Sequence, residues 1–287
     1  MGLLEGVNTA NLLALSAIAL WGSLAGLGVA LAHMPPFLLT GLALLAGSVI
    51  ALPLSRFDFR QWRVPPATVA VGVYGLFGFH FLLFIALRHA PPVQANLVNY
   101  LWPLGIVVMA PLFLPGMLLT PRHLFAALLG LGGAALAILG GRPADPGAPL
   151  WAWGYIPALM SAFIWASYSL LTKRIKPFPT SAIGSFALVS GVLALLCHAW
   201  LEPAVSLSSS DWALIALLGL GPLGGSFFLW DAALKRGDAR QIGVLSFLTP
   251  LLSTLVLLSM RGETPSLSVG LAALMIVGAA VIATRKA

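Results

Sequence analysis

Ten runs of mostly apolar residues, separated by charged residues or by Pro and Gly, constrain this chain more than any other feature. A transmembrane helix needs about 20 such residues, so ten helices would occupy roughly 200 of the 287 positions. Helix is the only open-chain structure that satisfies backbone polar groups in lipid, and no run alternates as a barrel strand would. The sequence therefore predicts an all-α integral membrane protein. The predicted spans are 10–32, 36–54, 67–88, 93–115, 119–140, 152–172, 180–200, 212–234, 241–260 and 267–284.

Composition excludes several classes of protein. The chain is 60% hydrophobic and 8% charged, whereas a soluble domain is about 45–50% apolar and about 25% charged. A cytosolic enzyme, a nucleic-acid binder and a disordered protein are therefore excluded, and we expect no nucleic-acid partner. The net charge of +7 is attributed to loop Lys and Arg residues that fix the orientation of the spans.

The distribution of basic residues predicts that orientation. With a cytoplasmic N-terminus, twelve of the fifteen Lys and Arg residues fall inside, and only Arg88, Arg142 and Arg261 fall outside. Such a bias is typical of the cytoplasmic side of membrane proteins. We therefore expect both termini in the cytoplasm and a multi-pass location in a bacterial inner membrane. The loops predicted inside are 55–66 and 173–179, and those predicted outside are 141–150 and 201–211.

An internal repeat relates the two halves of the chain. A shift of 147 residues places 76–104 over 223–251 with ten identities in 29 positions, and a shift of 144 places Trp21 over Trp165. Helices 1–5 therefore correspond to helices 6–10, and because five is odd the second copy enters the membrane from the opposite side. The sequence predicts two inverted five-helix repeats in one membrane domain, an architecture of many secondary transporters. The expected repeats are residues 1–145 and 146–287.

Two recurring motifs resemble those of a known family. Each half carries a Trp-Gly/Ala-Ser step in its first helix, and an Ala-Leu-basic loop followed by a helix with a mid-span Pro. The chain resembles the drug/metabolite transporter superfamily, in particular its members with two EamA repeats. Within it the chain is most similar to the YddG-type aromatic amino acid exporters, on general likeness and aromatic content. The residues are Trp21-Gly22-Ser23 and Trp165-Ala166-Ser167, then Ala86-Leu87-Arg88 with Pro103 and Ala233-Leu234-Lys235 with Pro250.

The resemblance covers nearly the whole chain and implies a ten-helix transporter. It leaves the substrate open, because the superfamily moves amino acids, metabolites, nucleotide sugars and drugs.

Enzyme chemistry has little support in the sequence. There is no HExxH motif, Cys/His cluster, pair of carboxylates or Gly-rich phosphate loop, so we expect no catalytic residue, no metal and no cofactor. Asp231 lies four residues before Lys235, the spacing of a helical ion pair, with a role in coupling as the alternative. A membrane-embedded lipid enzyme or scaffold remains a third hypothesis, which predicts turnover without directed movement of a solute.

Polar groups inside the spans are the first candidates for contact with a substrate. His80 lies inside a span without a charged neighbour, and it could bind a carboxylate, shuttle a proton or make one structural hydrogen bond. Asn99 and Tyr100 share a helix face with Asn96, which indicates either a binding surface or hydrogen bonds between helices. Pro103 removes a backbone donor and frees a carbonyl that could bind a ligand or form a hinge, and Pro250 is its repeat equivalent.

Aromatic residues supply the second set of candidates. Membrane tryptophans prefer the interfaces, but Trp21, Trp102 and Trp165 lie near the middle of their spans. Core packing is the alternative explanation. Trp230 is predicted near the cytoplasmic end. The predicted substrate-binding residues are Trp21, His80, Asn99, Tyr100, Trp102, Trp165, Tyr168 and Ser246, and the predicted hinges are Pro103 and Pro250.

These features together predict a secondary transporter. We expect export of small organic solutes, aromatic amino acids first, by alternating access through a central cavity. The alternative within transport is a broad metabolite or drug exporter. The expected partners are a small-molecule substrate and the lipid bilayer, and the oligomeric state is open, with a monomer among the options. Because no mid-membrane carboxylate is evident, we favour facilitated diffusion, or weak coupling of transport to protons through His80.

Overall fold

Every regular element in the described part of the chain is helical. The computed structural model describes residues 2–140 and 151–284. Three short helices are Phe59–Trp62, Tyr74–Gly78 and Thr180–Ala182. The α-helices are α1 (Gly2–Ala30), α2 (Pro36–Ser48), α3 (Ala51–Leu54), α4 (Pro66–Val73), α5 (Phe79–His89), α6 (Pro92–Asn99), α7 (Trp102–Phe113), α8 (Pro121–Leu139), α9 (Tyr155–Arg174), α10 (Ile183–Leu201), α11 (Ser209–Leu220), α12 (Gly225–Arg236), α13 (Ala239–Leu245), α14 (Leu248–Arg261) and α15 (Leu267–Thr284).

Ten helical segments of the described residues are long and apolar enough to cross a membrane. Each begins and ends within three residues of its predicted span, so the predicted ten-span, all-α architecture is confirmed. We number them spans 1 to 10: Thr9–Ala30, Pro36–Leu54, Pro66–His89, Pro92–Phe113, Pro121–Leu139, Tyr155–Arg174, Thr180–Leu201, Ser209–Arg236, Ala239–Arg261 and Leu267–Thr284.

Besides the break between α2 and α3 in span 2, four of the described spans are interrupted at equivalent places in the two halves. Span 3 contains a π-helical turn over Tyr74–Gly78, and span 8 breaks between α11 and α12. Span 4 breaks between α6 and α7, and span 9 between α13 and α14. Interrupted helices in corresponding positions of inverted repeats surround the binding sites of many transporters.

A close helix approach fixes the interruption in span 8. A Cβ atom at Gly224 would lie 1.9 Å from the carbonyl oxygen of Gly219 and 2.5 Å from Cα of Gly47. No side chain fits there, so glycine lets span 8 change direction directly against span 2.

The two halves are packed into each other. Span 1 packs against spans 8 and 9, and span 6 packs in the same way against spans 3 and 4. Span 2 packs against span 7, and span 5 against span 10. Spans 1, 3, 4, 6, 8 and 9 therefore enclose the centre of the molecule. The predicted boundary between residues 145 and 146 lies outside the described residues.

Contacts between loops define the two ends of the bundle. At one end, Arg88 Nη2 lies 2.8 Å from Glu202 Oε1; we call this the Glu202 end. At the other, Lys235 Nζ donates to the carbonyl oxygen of Phe178 at 2.9 Å; we call this the Lys235 end. Each end groups loops that the predicted topology places on one side of the membrane. Which end faces the cytoplasm stays a prediction.

Candidate functional site

A cavity of about 670 Å³ occupies the centre of the bundle. Its lining includes Ala32 and Met34, which follow span 1, and Pro92 and Val93, which begin span 4. These residues lie at the Glu202 end, so the cavity extends from mid-depth to that end. None of the described lining residues belongs to a loop at the Lys235 end. The structure is therefore open toward one side only.

Four tryptophan rings form the floor of this cavity. Trp21 lies 6.0 Å from Trp102, 5.8 Å from Trp165 and 5.0 Å from Trp230, measured between ring centroids. Three of them line the cavity, and Trp230 lies beneath them with 1% exposure. Most of these contacts are edge to face, which is the favoured geometry of aromatic pairs. We call the four residues the tryptophan cluster.

Trp230 was predicted near the cytoplasmic end of its span, and it lies six residues before the end of α12, on the Lys235 side of the break in span 8. It is also buried, and its indole Nε1 donates to Ser169 Oγ at 3.1 Å. The sequence did not indicate that Trp230 packs against the other three tryptophans.

His80 lines the cavity and is held by its own helix. Its Nδ1 lies 2.6 Å from the carbonyl oxygen of Leu76. Because a carbonyl oxygen can only accept, Nδ1 is the protonated nitrogen of this pair. Among the described residues Nε2 has no hydrogen-bond partner, and the rings of Phe79, Phe84 and Phe227 surround the imidazole. His80 thus presents one nitrogen to a ligand within an aromatic wall.

The polar face of span 4 also reaches the cavity. Asn96, Asn99 and Tyr100 all belong to the lining. The hydroxyl oxygen of Ser161 lies 2.8 Å from Asn99 Oδ1 and 2.8 Å from the carbonyl oxygen of Ala158, so it holds the Asn99 amide against span 6. Span 6 of one repeat therefore orients a polar side chain of the other.

Two predicted binding residues lie outside the described lining. Tyr168 packs on Gly75 in the π-helical turn, where a Cβ would lie 2.3 Å from its ring, and Tyr168 is 2% exposed. Ser246 is fully buried, and its hydroxyl donates to the carbonyl oxygen of Gly243 at 2.6 Å. The predicted contact of these two residues with a bound amino acid stays a prediction.

The two predicted hinge prolines follow the helix breaks. Pro103 lies in the first turn of α7, where a proline costs no helical hydrogen bond, and Pro250 lies in the first turn of α14. Pro250 lines the cavity, whereas Pro103 is not among the described lining residues. The break at mid-depth that the prolines led us to expect is therefore present in both repeats.

Several lining residues were missed by the analysis of the sequence. Phe79 and Phe227 line the cavity and contact Trp165 with ring centroids 5.3 and 5.6 Å apart. Thr249, the repeat equivalent of Trp102, lines it as well. The repeat would have indicated Thr249, whereas phenylalanine is too common in lipid-facing positions to single out these two.

The lining is almost uncharged. No Lys, Arg, Asp or Glu side chain occurs among its described residues, and His80 and Tyr100 are the titratable members. No group of three His, Cys, Asp or Glu residues in the described ranges could hold a metal ion. The site suits a ligand with a large apolar part and a small polar head.

Beneath the tryptophan cluster, an ion pair closes the Lys235 end. Asp231 follows Trp230 directly, and its Oδ2 lies 2.6 Å from Lys235 Nζ, which confirms the predicted helical ion pair. Thr180 donates to the same carboxylate oxygen at 2.7 Å. The ammonium group of Lys235 also lies 3.9 Å from the centre of the Phe178 ring. The start of span 7 is thereby joined to the end of span 8.

A second lysine ties span 6 to the same end. Lys173 Nζ donates to the carbonyl oxygens of Leu234 and Gly237, at 2.7 Å for Gly237, and so caps the end of α12. In the next loop, burial alone would raise the pKa of Asp238, but hydrogen bonds and the charge of Arg240 outweigh it and lower the pKa. Asp238 is therefore ionised, and it accepts a hydrogen bond from the first turn of α13.

Comparison with known proteins defines the family. The model of the EamA-like transporter family matches residues 8–139 and again 152–285. The chain belongs to this family. The two matches show two EamA repeats, one in each half. Ten membrane-length helices in the described ranges and the bacterial exporters among its relatives identify this EamA-like transporter as a multi-pass inner-membrane protein.

Individual relatives of this EamA-like transporter cover almost its full length. It is 42% identical to the aromatic amino acid exporter YddG of Ancylobacter novellus, over 98% of each chain. It is 27% identical to the exporter of the same name from Escherichia coli, over 96% of this chain and 98% of that one. A solved crystal structure with 40% identity superposes with a TM-score of 0.88, over 96% of this chain and 95% of the other.

Proposed function

We propose that this EamA-like transporter exports aromatic amino acids by alternating access through the central cavity. The observation that carries the proposal is the tryptophan cluster at the floor of an uncharged, half-open cavity between two inverted repeats. A flat aromatic ring gains about 0.5–1.5 kcal/mol from each well-placed aromatic contact beyond area burial. The names of the two YddG relatives support the same substrate class.

The proposal gives each lining group a distinct part. Trp21, Trp102 and Trp165 contact the aromatic side chain of the substrate. His80 and Asn99 bind its polar head, His80 through Nε2 and Asn99 through its side-chain amide. Tyr100 completes the polar side of the site. Tyr168 and Ser246, which lie outside the described lining of this conformation, are proposed to contact the substrate only after the cavity changes shape.

Alternating access requires the closed end to open. If the Lys235 end is cytoplasmic, as the basic residues predict, this conformation faces outward and the substrate leaves through the Glu202 end. The repeats, residues 1–145 and 146–287, then rock against each other at the breaks beside Pro103 and Pro250. No catalytic step, cofactor or nucleic acid enters this scheme. The bilayer is the surrounding partner, and one chain contains a complete cavity.

Uptake into proteoliposomes tests the proposal. Purified protein is reconstituted and supplied with labelled tryptophan, phenylalanine or threonine. We expect uptake of the two aromatic substrates to exceed that of threonine roughly tenfold, the ratio that about 1.4 kcal/mol of aromatic contact energy provides. Equal uptake of all three, or uptake no faster than in empty liposomes, would rule the proposal out.

A broad metabolite or drug exporter is the second candidate. The volume of about 670 Å³ falls within the range of pockets for drug-sized ligands. This candidate predicts that bulky aromatic cations compete with tryptophan and are themselves transported.

A further inference from the structure

Asp231 has an unusual position for an acidic side chain. It is 2% exposed, and it lies directly beneath the tryptophan cluster on the side where the cavity is closed. Its Oδ2 is shared by Lys235 and Thr180, but its Oδ1 is buried without a hydrogen-bond partner among the described residues. A buried carboxylate oxygen without a donor is costly. The closed conformation thus leaves this acceptor unused.

The contacts of this pair must change when the Lys235 end opens. Lys235 is bound to Phe178 and Thr180 at the start of span 7, and Lys173 of span 6 holds the end of α12. Separating α12 from spans 6 and 7 breaks these contacts and exposes Asp231 beside Lys235, which is exposed already in this conformation. The two residues then offer one carboxylate and one ammonium group on adjacent turns of the same helix.

We propose that Asp231 and Lys235 form an entry site for zwitterionic amino acids at the Lys235 end. Asp231 binds the α-ammonium group of the substrate through the oxygen that has no partner in the closed state. Lys235 binds the α-carboxylate. The substrate therefore replaces each member of the ion pair with a group of the same charge, so the pair opens without leaving a charge uncompensated. Trp230, the member of the tryptophan cluster next to Asp231, connects this site to the other three rings.

This inference rests on the proposed function, and it adds a requirement that the central cavity does not impose. The cavity lining is uncharged and selects for the aromatic ring. The entry site selects for the zwitterionic head. Both charges of the head are needed for entry at the Lys235 end, whereas release at the Glu202 end does not involve this pair.

Competition experiments with the unaltered protein test the site first. Inside-out and right-side-out membrane vesicles expose opposite ends, and uptake of labelled tryptophan is measured in both. Tryptamine lacks the carboxylate and indole-3-propionate lacks the ammonium group. We expect each to inhibit at least tenfold more weakly than unlabelled tryptophan when added at the Lys235 end. Equal inhibition by all three compounds at that end would overturn the entry site.

Two variants then assign the charges. Asp231→Asn keeps an acceptor for Thr180, and it should raise the KM for tryptophan at the Lys235 end about tenfold, the usual scale for one charged hydrogen bond, while leaving the KM for indole-3-propionate unchanged. Lys235→Gln should raise the KM for tryptophan and leave that for tryptamine unchanged. Asp58→Asn, at an exposed position of the same end, is the matched control and should leave every KM unchanged.

The outcomes distinguish failure of the entry site from failure of the proposed function. A variant that slows transport of all compounds equally would show that the ion pair only stabilises the closed Lys235 end, and the entry site would be rejected. If Asp231→Asn fails to fold, Lys235→Gln and the competition data decide. If the unaltered protein takes up no tryptophan from either side, the proposed function itself fails. Tryptophan uptake with equal competition by all three compounds rejects the entry site alone.

Discussion

Trp21 and Trp165 meet edge to face at the floor of the cavity, with ring centroids 5.8 Å apart and ring planes at 76°. They occupy the same position in the first helix of each repeat. The inverted repeats therefore converge on one aromatic contact, and each repeat supplies half of the floor. Any movement of one repeat against the other alters this contact, which links the shape of the site to the state of the transporter.

Removing an indole ring from the tryptophan cluster should reduce the preference for aromatic substrates. Trp102→Ala should lower tryptophan transport, and Trp21→Ala should narrow the ratio of tryptophan to threonine uptake several-fold, because each removes aromatic contact with the substrate. Proteoliposome uptake measures both. Removing a buried ring can cost about 3–5 kcal/mol of stability. Trp102→Phe, which keeps an aromatic ring, is therefore measured as well, so that loss of transport can be distinguished from loss of folding.

The control for these variants is Trp200→Ala, which alters a tryptophan that is 86% exposed. It should transport like the parent. If Trp102→Ala and Trp21→Ala fold normally and keep the parental ratio, the tryptophan cluster is core packing.

The two nitrogens of His80 can be separated by substitution. His80→Asn can keep the hydrogen bond to the carbonyl oxygen of Leu76, but it removes the group at the position of Nε2. We expect it to lower transport about as much as His80→Ala while retaining more thermal stability. Tryptophan uptake and the unfolding temperature are compared across the pair. Parental transport by His80→Asn would show that the histidine has only a structural role.

The sequence predicted the spans more completely than the site. Apolar runs and the twofold repeat fix the number and ends of the helices, because lipid leaves the backbone no other solution. The orientation of single side chains depends on where a helix breaks. The sequence did not show that Trp230 packs beneath the other three tryptophans or that the ring of Tyr168 packs on Gly75. Such close approaches involve residues far apart in sequence.

The prolines after the helix breaks should control motion more than affinity. Pro103→Ala and Pro250→Ala allow each break to straighten into a continuous helix. We expect both to slow tryptophan transport while changing binding little, as measured by uptake rates and by equilibrium binding to detergent-solubilised protein. Pro111→Ala, deeper in α7, is the control. Parental uptake rates in both hinge variants would contradict the hinge.

The Glu202 end depends on one carboxylate that joins three spans. Glu202 has a fully buried side chain that accepts from the backbone of Phe37 and Leu38 and from Arg88. Glu202→Gln should lower the free energy of unfolding by about 1.5–3 kcal/mol, the scale of hydrogen bonds to a charged group. Thermal unfolding in detergent measures the loss. Glu263→Gln, at an exposed position, should have no effect, and equal melting of both variants would refute the role of Glu202.

The topology follows from the same two ends. In a Cys197→Ala background, Asp58→Cys should react only with thiol reagents on the cytoplasmic side, and Ser206→Cys only with those on the periplasmic side. The reason is the excess of basic residues in the loops on the side of residue 58. Labelling of position 58 from the periplasmic side alone would reverse the orientation.

Protection of one cysteine by substrate tests most directly whether the cavity is the transport site. Ala25 lines the cavity, so Ala25→Cys in the Cys197→Ala background should react with an impermeant thiol reagent added at the Glu202 end. The account predicts that tryptophan slows this reaction, that threonine does so far less, and that labelling of Ser206→Cys is unchanged by either. Labelling of position 25 at the same rate with and without tryptophan would show that the substrate binds elsewhere.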